Sequence, residues 1–154
     1  MTSAWRICKE RFAATAFDGD GARIHGGRWN ERGTAMVYCA STASLAALEL
    51  LVHVDVDQLP DDLVLIEARI PDGVSRQVLD VAKLPVNWRR SPGPDALKAL
   101  GARWAAGLRT ALLGVPSAVL PSERSLLVNP GHADSRRLLI QPAVPFALDP
   151  RLRR

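Results

Sequence analysis

Aromatic residues make up only 5% of this 154-residue chain, which holds a single tyrosine and two cysteines. So thin a supply of rings leaves little on which to stack bases, and no helix-turn-helix, zinc-finger or RNP pattern is present, so direct nucleic-acid binding is not expected. Cys8 and Cys39 are too few for a disulfide framework and lack a CxxC spacing; both read as reduced, partly buried thiols. His25, His53 and His132 stand far apart without companion ligand spacings, and no metal site is predicted. There is no GxGxxG after a strand, no GxxxxGK[ST] and no GxSxG, which excludes the Rossmann, P-loop and nucleophile-elbow routes to a site. No apolar run approaches the length needed to cross a bilayer, and Arg6, Lys9, Glu10 and Arg11 interrupt the place where a secretory leader would lie. The reading is a cytoplasmic protein with no membrane association.

What is present is core. With 47% apolar residues and no linker, repeat or low-complexity tract, residues 1–154 read as one compact domain. The net charge of +4 is carried in scattered places, Arg89-Arg90, Arg136-Arg137 and the terminal arginines, and suits a small anionic ligand or an acidic protein partner.

The hydrophobic pattern predicts an opening strand around residues 5–7 and a long glycine-rich loop over 18–33. A strand follows at 35–39, then a helix from about Ala43 to Val54 capped by Ser41 or Thr42 and burying Leu45, Leu48 and Val52. A strand over 63–70 ends at Pro71-Asp72-Gly73, and 84–94 reads as irregular. The clearest helix spans Asp95 to Leu113, with Leu97, Leu100, Trp104, Leu108 and Leu112 as its stripe and Gly114 as its stop. Short apolar runs at 115–120, 126–128 and 138–141, and one ending near Phe146, supply further strands. Strands and helices mixed without regular alternation predict an α+β (mixed α/β) domain and not a doubly wound sheet.

Three places could carry chemistry. In His25-Gly26-Gly27-Arg28-Trp29-Asn30 the glycines let the backbone approach a ligand and the guanidinium offers bidentate recognition of phosphate oxygens. Taken alone, the same residues also describe a turn with a solvated charge. Glu49 lies in an apolar helical run, where a carboxylate must reach solvent or find a partner, with His53 one turn away. Ser117 stands at the end of Val115-Pro116, while Ser122 and Ser125 follow without any motif.

Taken in order, His25-Gly26-Gly27-Arg28-Trp29-Asn30, Val37-Tyr38, Ala46-Ala47-Leu48-Glu49, Val115-Pro116-Ser117 and Asn129-Pro130-Gly131-His132 resemble the RES-domain family, over Trp5 to about Phe146. The resemblance implies a fold related to ADP-ribosyltransferases and the toxin of a bacterial toxin–antitoxin pair that degrades NAD⁺. It makes Arg28, Tyr38, Glu49 and Ser117 the catalytic set and Gly27, Arg28, Trp29, Asn30, Tyr38 and Asn129 the binding residues for NAD⁺. Here NAD⁺ is substrate and not cofactor. Ser122 departs from the family pattern, standing where an acidic residue is expected, with Glu123 beside it. The implied partner is a small DNA-binding antitoxin that inhibits by covering the site.

The chemistry so implied is cleavage of the nicotinamide–ribose bond. Nicotinamide leaves as a neutral molecule, so the barrier lies in the ribosyl oxocarbenium ion, which Glu49 would stabilise while Arg28 fixes the diphosphate. Tyr38 would pack on the nicotinamide or ribose, and Ser117 would bond the nicotinamide side or order the site. The acceptor stays open among water, inorganic phosphate and a protein side chain. Protein ADP-ribosylation at the same site and a non-catalytic basic binding module are the rival readings.

Overall fold

The computed structural model describes residues 1–153. Eleven elements follow in chain order: β1 (Thr2–Lys9), α1 (Asp20–His25), β2 (Val37–Ala40), α2 (Ala43–Leu51), β3 (Leu63–Ile70), β4 (Arg76–Val78), α3 (Asp95–Gly107), β5 (Leu112–Pro116), β6 (Arg124–Val128), β7 (Leu139–Ile140) and β8 (Val144–Pro145). The strands join in the order β4-β5-β6-β2-β1-β3-β7, with β8 also paired to β3. Among the described residues only β4 and β5 pair parallel. This is the α+β architecture expected, and no helix among the described residues is long and apolar enough to cross a membrane.

The sheet is well knitted at both ends and nearly split in the middle. β1 and β3 pair along their whole length, from Thr2 opposite Ile70 to Lys9 opposite Leu63. β2 and β6 pair from Val37 opposite Val128 to Ala40 opposite Ser125. Between these halves, β1 and β2 share one paired position, Trp5 opposite Ala40. No other position of the two strands is paired among the described residues. Arg6 crosses the opening, its Nη1 donating to the Tyr38 carbonyl at 2.8 Å. Such substitution is what a buried carbonyl requires once a strand leaves it.

Side-chain alternation distributes the core to both faces of the sheet. Val37, Cys39, Leu112 and Val128 pack with Ala4, Ala68 and Ile70 on one side. On the other, Leu113, Val115 and Leu127 pack with Trp29, Met36, Leu97 and Trp104. Cys8 and Cys39 are both free thiols, and burial pushes Cys39 up to about 12, so it stays protonated near neutrality.

Several local expectations are corrected. The glycine-rich stretch is not all loop, since Asp20–His25 forms a short helix entered through Gly19 at φ 80°. α2 is capped by Thr42, whose side chain accepts from the Leu45 amide, but it buries Leu45 and Ala46 against Trp5 and Ile7. Leu48 and Val52, expected in the core, are exposed. The helix is short and lies on β1 and β2 by its first turn, so the inward line runs from Leu45 to the residue one turn on, Glu49. The Asp95 helix ends at Gly107, six residues before the expected limit, because Leu108 turns into the left-handed region at φ 50°. Leu108 is therefore exposed, Leu112 belongs to β5, and Gly114 lies inside that strand and stops nothing.

One contact sets where the Arg28 loop lies. Gly101, in the middle of α3, faces the Trp29 backbone so closely that an added Cβ would overlap the Trp29 carbonyl oxygen. Gly101→Ala is expected to cost about 1–3 kcal/mol or more by overpacking, whereas Gly107→Ala, near the open end of the same helix, costs little. Urea melts of the two variants check this; equal midpoints would show that α3 and the loop are not in contact.

Candidate active site

The split between β1 and β2 opens into a cleft of about 1030 Å³, walled by the 25–29 loop, the open ends of β1 and β2, α2, the 89–93 segment and the chain around Pro116 and Val119. Arg6, Arg28, Arg89 and Lys98 line it with Glu49 as the one carboxylate. Cationic walls around a single acid suit an anionic ligand and focus its approach.

The Arg28 loop is built against Tyr38. The Tyr38 hydroxyl donates to Asn30 Oδ1 at 2.6 Å and accepts from the Trp29 amide at 2.9 Å. Gly27 lies across this pair, and an added Cβ would sit 2.7 Å from the hydroxyl oxygen, so only glycine fits there. Burial raises the Tyr38 phenol to about 12, against the opposing pull of the Trp29 amide and the Arg28 charge. It remains a protonated donor at neutral pH. Asn30 is fully buried and its Nδ2 faces the carbonyls of Ala22, Glu31 and Thr34. Its role in the structure is to hold the loop, and it has no face on the cleft.

Arg28 reaches from this loop across to the irregular segment after Leu84. Its Nη1 donates to the carbonyls of Trp88 at 3.0 Å and Arg90 at 2.9 Å. Gly93 passes beneath, where a Cβ would come within 2.9 Å of the same nitrogen. The remaining N–H groups have no hydrogen-bond partner among the described residues, so the guanidinium is fixed in place and still able to donate.

On the opposite wall Glu49 is held by hydroxyls and not by a cation. Ser117 Oγ donates to Glu49 Oε1 at 2.8 Å, and Ser125 Oγ reaches the same oxygen at 3.3 Å. Ser117 also accepts from the amides of Val119 at 3.2 Å and Leu120 at 3.1 Å. With both lone pairs so engaged, the single hydroxyl proton has the carboxylate as its acceptor. Glu49 Oε2 has no partner among the described residues. Half-buried at the cleft wall, it is the oxygen left for a ligand.

The structure thus brings Gly27, Arg28, Trp29, Tyr38 and Glu49 to one cleft. Ser117 is buried directly behind Glu49 and orders it, without a surface on the cavity. Ser122 is exposed and lies away from that contact. Asn129 falls outside the cleft: its side chain bonds the Ala105 carbonyl and the Gly131 amide, a brace between α3 and the following turn. Glu123, beside Ser122, accepts from the Thr42 hydroxyl at 3.1 Å and so touches the start of α2. The motifs gave no hint of Arg6, Arg89 or Ser125. Arg6 lines the cleft with its Nε buried and without a hydrogen-bond partner. An arginine at the fifth position of a mostly half-buried strand was the available signal.

Comparison with known proteins gives the family and the fold. The RES domain matches residues 3–149. A protein of Sphingobium sp. (strain YBL2) called "Prs ADP-ribosylating toxin" is 41% identical over 155 residues, covering 98% of this chain and 96% of that protein. A "Toxin Res" of Yersinia enterocolitica is 38% identical over 97% of this chain and 98% of its own length. Among solved structures, a chain of the M. tuberculosis MbcT–MbcA toxin–antitoxin complex superposes with a TM-score of 0.73 at 18% identity, covering 94% of this chain and 84% of that one, and so shares the fold. Matched by the domain over nearly its whole length and by relatives that are similar from end to end, the chain belongs to the RES-domain family.

Proposed function

We propose that this protein is the toxin of a toxin–antitoxin pair and that it cleaves the nicotinamide–ribose bond of NAD⁺, passing ADP-ribose to water or inorganic phosphate. The observation that carries the reading is the Glu49 carboxylate, pinned through Oε1 by two serine hydroxyls and presenting Oε2 to a cleft that Arg28 also lines. Nicotinamide departs neutral, so the step needs no acid; it needs negative charge beside the ribose as the oxocarbenium ion forms. A carboxylate held before the reaction begins supplies that charge without reorganising. Arg28 takes the diphosphate, orienting the ribose toward Glu49, and the Tyr38 ring covers the nicotinamide or ribose.

A second reading has support of its own. The relative named as an ADP-ribosylating toxin favours transfer of ADP-ribose to a protein acceptor from the same site. Incubating pure protein with NAD⁺, with and without phosphate, and weighing the products separates the outcomes. Free ADP-ribose or its phosphate ester supports the first reading, and adenylate label on a protein supports the second.

Loss of function should divide between the two walls. Glu49→Ala is expected to lower kcat on the order of 100-fold or more with the fold intact, because it removes charge stabilisation specific to the transition state. Arg28→Ala chiefly raises KM. A folded double variant with full turnover would refute the assignment.

The serines are expected to differ as sharply. Ser117→Ala leaves two amides without a partner and the carboxylate with only the longer Ser125 contact, costing about 1–3 kcal/mol of stability as well as activity. Ser122→Ala should change neither. Equal or reversed effects at matched stability would mean that Glu49 is not ordered by Ser117.

A free NAD⁺-consuming enzyme needs restraint, and the fold shared with a chain of a toxin–antitoxin complex supports an antitoxin partner; the cationic lining of the cleft suits one that covers Arg28 with acidic groups. Co-expression with the cognate antitoxin should then restore growth and yield a complex that no longer binds NAD⁺. A complex that forms and still turns NAD⁺ over at the free rate rules that mechanism out.

A further inference from the structure

Two of the charged groups that line the cleft, Arg28 and Glu49, are tied to the same three residues, 88–90. Arg28 donates to the carbonyls of Trp88 and Arg90, on either side of Arg89. Arg89 in turn sends its own side chain to the opposite wall, Nε donating to the Ala118 carbonyl at 2.8 Å and Nη2 to the Val119 carbonyl at 3.4 Å. Ala118 and Val119 belong to the turn that Ser117 closes from within, its hydroxyl accepting from the Val119 and Leu120 amides. The same hydroxyl donates to Glu49. A continuous line of hydrogen bonds therefore runs from Arg28 through 88–90 to Arg89, the 117–120 turn, Ser117 and Glu49.

We infer that Arg89 is a positioning residue, which fixes the Glu49 carboxylate by bracing the 117–120 turn with a two-carbonyl fork. The inference rests on the reading above in which Glu49 acts on NAD⁺. The 117–120 turn follows β5 directly. Glu123 ties its two ends, its backbone accepting from the Ser117 amide at 3.1 Å and donating to the Leu120 carbonyl at 2.9 Å, and the serine hydroxyl holds the Val119 and Leu120 amides. The carbonyls between, of Ala118 and Val119, are held by Arg89, so this outer clamp bears on whether Ser117 keeps its orientation. A guanidinium suits two consecutive carbonyls because its donors lie in one plane; an ammonium is a point donor and reaches one. Arg89 also lines the cleft, so a direct hold on the substrate diphosphate is the competing role for the same side chain. The two roles separate in kinetics and in amide exchange.

Arg89→Ala and Arg89→Lys, alone and with Ser117→Ala, provide the test. Bracing predicts that Arg89→Ala lowers kcat on the order of 10- to 100-fold while KM for NAD⁺ stays within about twofold. Arg89→Lys should recover little, because it restores the charge without the fork. In the Ser117→Ala background, removing Arg89 should add almost nothing, since both act through one carboxylate. Amide hydrogen exchange at Val119 and Leu120 should accelerate in Arg89→Ala on the order of tenfold or more, with the β5 and β6 amides unchanged. A raised KM with kcat kept, full recovery by lysine, additive losses in the double variant, or unaltered exchange at Val119 and Leu120 would each overturn the assignment. If the wild-type protein does not consume NAD⁺, the reading of function fails, and the exchange measurement alone decides whether Arg89 braces the turn.

Discussion

The site depends on how one carboxylate is kept half-buried without a cation on it. Glu49 occupies the inward line of α2, one turn after the fully buried Leu45, where an unpartnered charge would be costly. Two hydroxyls on Oε1 offset part of that cost without bringing a counter-charge, as an arginine in the same place would. The arrangement also explains the burial of Ser117, 1% exposed at the end of the fully buried strand β5. Everything that moves β5 relative to α2 moves this contact.

The sheet supplies the space. A continuous ladder between β1 and β2 would put backbone where the cleft lies, and the single Trp5–Ala40 pair shows how little joins the two halves. Arg6 repairs the opening from the side, donating to the Tyr38 carbonyl and carrying positive charge into the cavity. Close packing then fixes the Arg28 loop from two directions: α3 meets the Trp29 backbone at Gly101, and the Tyr38–Asn30 pair meets the loop at Gly27. Glycine at both positions is a requirement of distance, since side chains there would occupy space already filled.

Charge gives the cleft its direction. Arg28 is bolted to backbone carbonyls of the 88–90 segment, which costs it none of its charge and holds it on the lining of the cavity. With Glu49 on the facing wall, the two ends of a ligand that carries phosphates at one end and a nascent cation at the other are told apart.

Much of this was legible in order of residues. The glycine pair before Arg28, Tyr38 at a strand, Glu49 in an apolar helix and Ser117 after a strand are local features, and periodicity placed β3 and the first three turns of α3 correctly. Local pattern misjudged the inward face of α2, because a helix packed by its first turn does not bury the stripe its period suggests. The family resemblance gave Asn30 and Asn129 to the ligand, whereas the structure has both side-chain amides bonded to backbone carbonyls of the chain itself. The sequence by itself determined which chemical groups are available and that they share one domain. Which of them meet was decided by the tertiary structure alone. Ser117 and Ser125 lie 68 and 76 positions from the carboxylate they hold. Ser125 comes there only because the register sets it opposite Ala40 on one side and Val115 on the other. Strand register is a property of the assembled sheet, and no local period encodes it.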